Sequence, residues 1–196
     1  MRAAGASGTS RLTDIDFTRD SPEVARRLIG MTLLVNGVGG VIFETEAYDR
    51  EDPASHSFAG RTPRNAVMFG PPGRAYVYLS YGIHWCLNFV CREAGHGAGV
   101  LIRALEPTTG ISSMIERRRQ RDLRILCAGP GRLGEALGVT HGMNGMRLDQ
   151  PPFGLTAAVT TDAGIVCGPR IGISKAVEQP WRFGLAGSLY VSRPFR

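Results

Sequence analysis

The chain has 196 residues, 43% hydrophobic and 20% charged, with a formal net charge of +6 and a sequence pI near 9.6. That length suits one domain with a sizeable core, and no apolar run approaches the roughly 20 residues of a membrane helix, so such a helix is excluded and a soluble protein is expected. Arginine supplies every cation except Lys175, and the basic balance favours a polyanionic partner such as nucleic acid.

Residues 1–13 are small and polar and lack the apolar segment of a signal peptide, which predicts a disordered N-terminal tail before a single domain over residues 14–196. Cys86, Cys91, Cys127 and Cys167 show no C-x-x-C spacing, as expected of reduced thiols in the cytoplasm. Cys86 and Cys91 have His84 and His96 nearby, so a zinc site is conceivable, but small buried strand residues are the better reading. Ser21-Pro22-Glu23 predicts a helix start with Ser21 as N-cap, and Gly30 its end. Met31 to Val35 and Val41 to Tyr48 follow as two strands of a hairpin about Asn36-Gly37, with Gly39-Gly40 extending the connection.

The second of these strands carries Glu44-Thr45-Glu46-Ala47-Tyr48. Alternation places Val41, Phe43, Thr45 and Ala47 on a core face and Ile42, Glu44, Glu46 and Tyr48 on the other. Buried carboxylates are costly unless paired, so this face is either tied structurally or kept for acid/base chemistry, and alternation alone does not choose between the acids. From Asp49 to Gly73 the pattern dissolves into a long loop anchored by Val67, Met68 and Phe69, a length usually associated with function.

Ala75 to Ser80 and Ile83 to Cys91 predict a second hairpin. Tyr76, Tyr78 and Ser80 share one face. In the return strand Ile83, Trp85, Leu87 and Phe89 take the core face, and His84, Cys86 and Asn88 the other. Tyr81 stands at the tip, either a wedge or a tyrosine folded back on the surface. Val100 to Leu105 is a further strand, in which Arg103 lies between Leu101 and Leu105 and requires a carboxylate or phosphate partner. A helix begins at Ile111 and runs into an arginine cluster, Arg117 to Arg124, which reads equally as a solvated face or a phosphate contact. Gly129-Pro130-Gly131 breaks the chain before a short helix, Leu133 to Leu137, ended by Gly138. The remainder, through Ile171-Gly172-Ile173 and Leu189-Tyr190-Val191, reads as short strands and loops.

Several ordered segments resemble the alkyladenine (3-methyladenine, methylpurine) DNA glycosylases: Glu44-Thr45-Glu46-Ala47-Tyr48, His56-Ser57, Arg61-Thr62-Pro63-Arg64-Asn65, Met68-Phe69, Pro72-Gly73, Tyr76-Val77-Tyr78, Tyr81-Gly82, Cys86-Leu87-Asn88, Leu101 to Pro107, Gly129-Pro130 and Pro169 to Ile173. They run in order over nearly the whole chain. The resemblance implies an α+β fold, a single domain with a curved, mainly antiparallel sheet and flanking helices. It implies a monofunctional, monomeric enzyme without metal or cofactor that flips damaged purines from double-stranded DNA and hydrolyses their N-glycosidic bond.

By the same resemblance Glu46 is the general base and Glu44 is structural, while Arg103 helps hold the attacking water, which also has a main-chain contact near Ile173. Tyr48, His56 and Tyr78 match the walls of the base pocket, Asn88 the residue that crowds the amino group of guanine, and Tyr81 the wedge left in the DNA. The family is monofunctional, so Lys175 is read as a phosphate contact rather than a nucleophile. Two competing classes are a lesion-binding module that does not cut and an RNA-binding translation protein. The combination of Glu46, Arg103, Tyr48 and Tyr78 argues against both.

Overall fold

In the computed structural model, which describes residues 15–157 and 164–195, the acid-bearing run becomes the strand on which most of the sheet hangs. The tail expected over residues 1–13 lies outside the described residues. In chain order the strands are β1 (Thr32–Val35), β2 (Val38–Tyr48), β3 (Ala75–Ser80), β4 (His84–Cys91), β5 (Ala98–Thr109), β6 (Phe153–Thr156), β7 (Ile165–Gly168) and β8 (Arg182–Leu185). The helices are α1 (Ser21–Leu28), α2 (Ile111–Arg118), α3 (Leu123–Leu126) and α4 (Pro130–Leu137). All pairings are antiparallel, in the order β3-β4-β5-β2-β1-β6. Beyond the end of β1 the same edge of β2 takes up β8, which in turn pairs with β7. This is the α+β, single-domain, curled antiparallel architecture expected from the sequence.

Local chemistry accounts for most element ends, with some differences from expectation. Asn36 and Gly37 both have positive φ, the signature of a two-residue hairpin turn. β2 therefore begins at Val38, and Gly39-Gly40 lie inside the strand rather than in the connection. A Cβ at Gly39 would sit 1.8 Å from the Leu33 carbonyl oxygen, and one at Gly40 1.8 Å from that of Glu106. These glycines are there because neighbouring backbones come too close for a side chain. Asp20 rather than Ser21 occupies the N-cap position of α1, without a side-chain capping bond, and Ser21 instead sits buried in the first turn with its hydroxyl on Asp49. α4 starts at Pro130, with Gly138 as its left-handed cap.

The second hairpin closes with Ser80 opposite His84, which leaves Tyr81, Gly82 and Ile83 in the loop. Ile83 is accordingly exposed at the tip instead of facing the core, because the three-residue loop ends the alternation before it reaches β4. Ile42 likewise joins the hydrophobic core rather than the acid face. The register between β2 and β5 slips after Ile42, and a slip by one residue transfers a side chain to the other face. The segments 171–173 and 189–191 are loops, and the late strands are β6, β7 and β8.

The main core cluster fills the space between the sheet and α1, α2 and α4, with Leu28, Leu33, Ile42, Leu87, Phe89, Ile102, Met114 and Leu133 fully buried, and a smaller cluster gathers Met68, Tyr76 and Val90. Because β2 is covered on both sides, Glu44, Thr45 and Glu46 have no exposed surface. Gly40→Ala is expected to destabilise the protein by roughly 3 kcal/mol, since the clash is with backbone that cannot rotate away; urea unfolding measures it, and a loss under about 0.5 kcal/mol would show that β5 can retreat from β2.

Candidate active site

The site grows out of two irregularities in the β2–β5 ladder. Ile42 pairs with Leu105, Glu44 with Ala104 and Thr45 with Ile102, so Phe43 on one strand and Arg103 on the other have no partner across the ladder. Bulges re-aim side chains, and here Arg103 is turned onto both acids. Its Nε donates to Glu44 Oε1 at 3.0 Å, its Nη1 to Glu46 Oε2 at 3.1 Å and its Nη2 to Ser192 Oγ at 3.2 Å. Burial opposes the charge on Arg103, but Glu46 and then Glu44 outweigh it and hold the guanidinium above its ordinary pKa.

The acids have different surroundings. Glu44 Oε1 accepts from Arg103, from Arg182 Nε at 2.6 Å and from Ser192 Oγ at 2.8 Å, while Oε2 accepts the Ser192 backbone N–H. Arg182 is held in turn by the Arg193 carbonyl and lies over the Phe195 ring, 3.9 Å from its centroid. Glu44 is thus enclosed by structural donors. Glu46 instead faces residues that border a cavity: its Oε1 accepts the Ile171 N–H at 2.7 Å, and its Oε2 accepts the Tyr48 hydroxyl at 2.9 Å beside Arg103. Tyr48, Arg103 and Ile171 all line that cavity, whose volume is about 460 Å³, and Glu46 sits directly beneath them.

The cavity is aromatic on one side and polar at its floor. Tyr76 and Tyr78 stack with centroids 5.6 Å apart, and His56 packs edge-on against Tyr78 at 4.5 Å. His56 Nδ1 meets the Tyr76 hydroxyl at 3.1 Å. Although His56 keeps an exposed edge at the rim, burial of its ring, reinforced by the Arg64 charge, pushes its pKa below the ordinary value and keeps it neutral at pH 7. Burial pushes the Tyr76 phenol up to about 12 and raises Tyr48 and Tyr78 further, with Glu46 adding to Tyr48. These hydroxyls are hydrogen-bond donors at any physiological pH. Among the described residues no ring pair joins Tyr48 to the His56–Tyr76–Tyr78 group, so the two sides border an open slot.

Asn88, almost fully buried, lines the same slot and donates one Nδ2 hydrogen to the Tyr76 carbonyl at 3.2 Å, which fixes the plane of its amide. At the mouth Tyr81 is 88% exposed, and its positive φ together with that of Gly82 holds it out at the hairpin tip. The long loop that carries His56 is fastened by Asn65, whose Nδ2 donates to the carbonyls of His56 at 2.8 Å and Gly60 at 3.0 Å.

Glu46, Arg103, Tyr48, His56, Tyr78, Asn88, Tyr81 and Ile173 are therefore brought to one place, with Glu46 under the floor and the others lining it. The main-chain donor on Glu46 itself is Ile171, and Ile173, expected as a main-chain contact to the water, lines the cavity two residues on. Lys175 is exposed and does not border the cavity. The arginine cluster divides: Arg117 and Arg118 bind the end of α4 through Ala136 O and Glu135, Arg124 pairs with Asp122, and Arg119 and Arg121 are exposed. Among the described residues no three His, Cys, Asp or Glu side chains are grouped to hold a metal, and Cys86 and Cys91 are buried free thiols.

Sequence reasoning missed Arg170, Asp52, Arg182 and Ser192. Arg182 lies between Trp181 and Phe183, the same arginine-among-apolars pattern that marked Arg103. For Ser192 and Asp52 the residue types carry no such signal.

The family model that matches the chain is that of the methylpurine-DNA glycosylases, over residues 15–189. Among curated proteins, one from Nitrosospira multiformis named "Putative 3-methyladenine DNA glycosylase" is 66% identical over 93% of this chain and 94% of its own length. Proteins of the same name from Rhodopseudomonas palustris and Bradyrhizobium diazoefficiens are 64% and 59% identical, each over 91% of this chain and 89% of their own.

Removing the charge of Glu44 leaves Arg103 and Arg182 buried without it. Glu44→Gln is expected to cost about 3–5 kcal/mol of stability, read by urea unfolding; a loss under about 1 kcal/mol would mean that Arg103 is held by something else.

Proposed function

The chain belongs to the methylpurine-DNA glycosylase family, and from that membership we propose that it excises alkylated or deaminated purines, of the 3-methyladenine, 7-methylguanine, hypoxanthine and ethenoadenine class, from duplex DNA in base-excision repair. The observation that carries this reading is the pairing of Glu46 with Arg103, Tyr48 and Ile171 directly under an aromatic slot of about 460 Å³. A purine inside a duplex cannot reach such a floor, so the nucleotide is flipped out, and Tyr81 at the exposed tip fills the gap it leaves.

The slot takes the base between Tyr48 and the His56–Tyr78 side. A purine made cationic by alkylation gains a cation–π contribution from these rings that an undamaged purine lacks, about 0.5–2 kcal/mol. A neutral His56 is required for that, since a protonated ring would repel the same base. Asn88, its amide plane fixed by the Tyr76 carbonyl, crowds the amino group of guanine; 7-methylguanine carries the same group, and its cation–π gain offsets the crowding that rejects the normal base.

Hydrolysis then proceeds at the floor. As the bond between C1′ and the purine nitrogen lengthens, its electron pair leaves with the base and positive charge develops on the sugar. A water held beside Arg103 and Ile171 attacks C1′ and gives its proton to Glu46, whose carboxylate also faces the developing charge. The products are a free purine and an abasic site. A module that only bound lesions would have no use for a carboxylate with this set of donors. The proposal includes a monomer acting in the bacterial cytoplasm on chromosomal DNA, with no metal or cofactor in the step. No helix among the described residues is long and apolar enough to cross a membrane.

Duplexes with a single 7-methylguanine or hypoxanthine, scored for abasic sites by alkaline cleavage, test the assignment. Glu46→Gln should lose about 10²–10⁴-fold in excision rate while still binding the lesion duplex; excision at the wild-type rate would overturn the role given to Glu46. Tyr81→Ala should weaken lesion-duplex binding by roughly tenfold, the loss of about one stacked contact. Unchanged affinity would return Tyr81 to an ordinary surface tyrosine.

A further inference from the structure

Tyr48 has one face toward the slot and a charge behind the other. The Arg170 guanidinium carbon lies 4.7 Å from the centroid of the Tyr48 ring and 5.4 Å from that of Trp181, yet Arg170 does not border the cavity. It therefore backs the wall rather than lining it. The side chains of Arg170 and Asp52 are both fully buried, and Asp52 accepts from Nη1 and, at 3.0 Å, from Nη2. Nη1 also reaches the Ala47 carbonyl at 2.9 Å, while Nε has no partner among the described residues.

A cation behind an aromatic wall and a cationic base in front of it draw on the same ring electrons and repel each other. With the base stacked about 3.5 Å from the ring, the two charges would be on the order of 8 Å apart. At an effective dielectric constant of about 20, that repulsion is enough to change occupancy by on the order of tenfold or somewhat more. The Asp52 carboxylate turns the group behind Tyr48 into a neutral pair. We propose that Asp52, through Arg170, sets the charge preference of the base slot, keeping Tyr48 a favourable wall for positively charged purines.

This rests on the reading of the cavity as the seat of a flipped purine. It adds a specificity-determining pair that never touches the base. The pair also fastens the loop carrying His56 to the floor segment carrying Ile171, so a purely structural role has to be told apart from an electrostatic one. Loss of a fastening slows excision of all lesions together, whereas a change of charge moves cationic and neutral lesions apart, and in a direction that depends on which partner is removed.

The test measures single-turnover excision from duplexes containing 7-methylguanine, a cation, and hypoxanthine, a neutral base, under subsaturating enzyme. Asp52→Asn leaves Arg170 unpaired behind the ring and should lower the cation-to-neutral ratio about tenfold. Arg170→Gln leaves the carboxylate and should raise the ratio by a similar factor, and the double variant should return it toward the wild-type value. Ratios that stay constant, or that shift in the same direction in both single variants, overturn the proposal. Folding of each variant is checked by circular dichroism. If Asp52→Asn fails to fold, Arg170→Gln decides, and an unchanged or lowered ratio there is equally fatal. Wild-type protein that excises neither base would instead refute the glycosylase reading, so the two failures are distinguishable.

Discussion

Four buried charges hold one another in place: Glu44 and Glu46 against Arg103 and Arg182. Any one of them alone in this interior would be driven to neutralise or to break the packing around it. Together they balance, and the balance is asymmetric in a useful way. Glu44 receives the rigid share of the donors, from two arginines and Ser192, and so fixes where the Arg103 guanidinium lies. Arg103 then has one arm free to reach Glu46. The acid beneath the slot is placed by an acid enclosed in donors, and this difference between neighbours two residues apart is a matter of environment rather than residue type.

Preorganisation extends from this cluster to the aromatic wall. Tyr48 is pinned at its hydroxyl by Glu46 and stacked from behind by Arg170, so neither its tilt nor its position is left free. The other wall is held by mutual packing of His56, Tyr76 and Tyr78, and Asn65 secures the loop that delivers His56. A slot whose sides are set before binding loses less entropy when a ligand enters it.

Much of this was legible in the residues, and the gaps have physical causes. The hairpins announce themselves through Asn36-Gly37 and Tyr81-Gly82, and Arg103 between leucines demands a partner. The bulges at Phe43 and Arg103 do not announce themselves, because neither is a glycine or another residue that marks an irregular backbone; strict alternation therefore put Ile42 on the wrong face. The Ile171 N–H that binds Glu46 gave no sign of itself, because a backbone donor belongs to no residue type and its partner lies 125 positions away. The Asp52–Arg170 pair joins positions 118 residues apart, a purely tertiary relation that no local pattern encodes. β8 escaped notice because a four-residue strand with an arginine and a glycine looks like loop.

The Ser192 donors to Glu44 span 148 positions of the chain, and the Arg182 donor 138. Contacts so distant in sequence form late, because loop closure must precede them. A nascent chain that has already paired β2 with β5 would hold two acids against a single arginine, and would gain the remaining counter-charge only once the segment carrying Arg182 and Ser192 had left the ribosome. Assembly of the charged floor thus waits for that segment, and a chain cut short before Arg182 and Ser192 carries an unbalanced charge in its interior that favours its unfolding and removal.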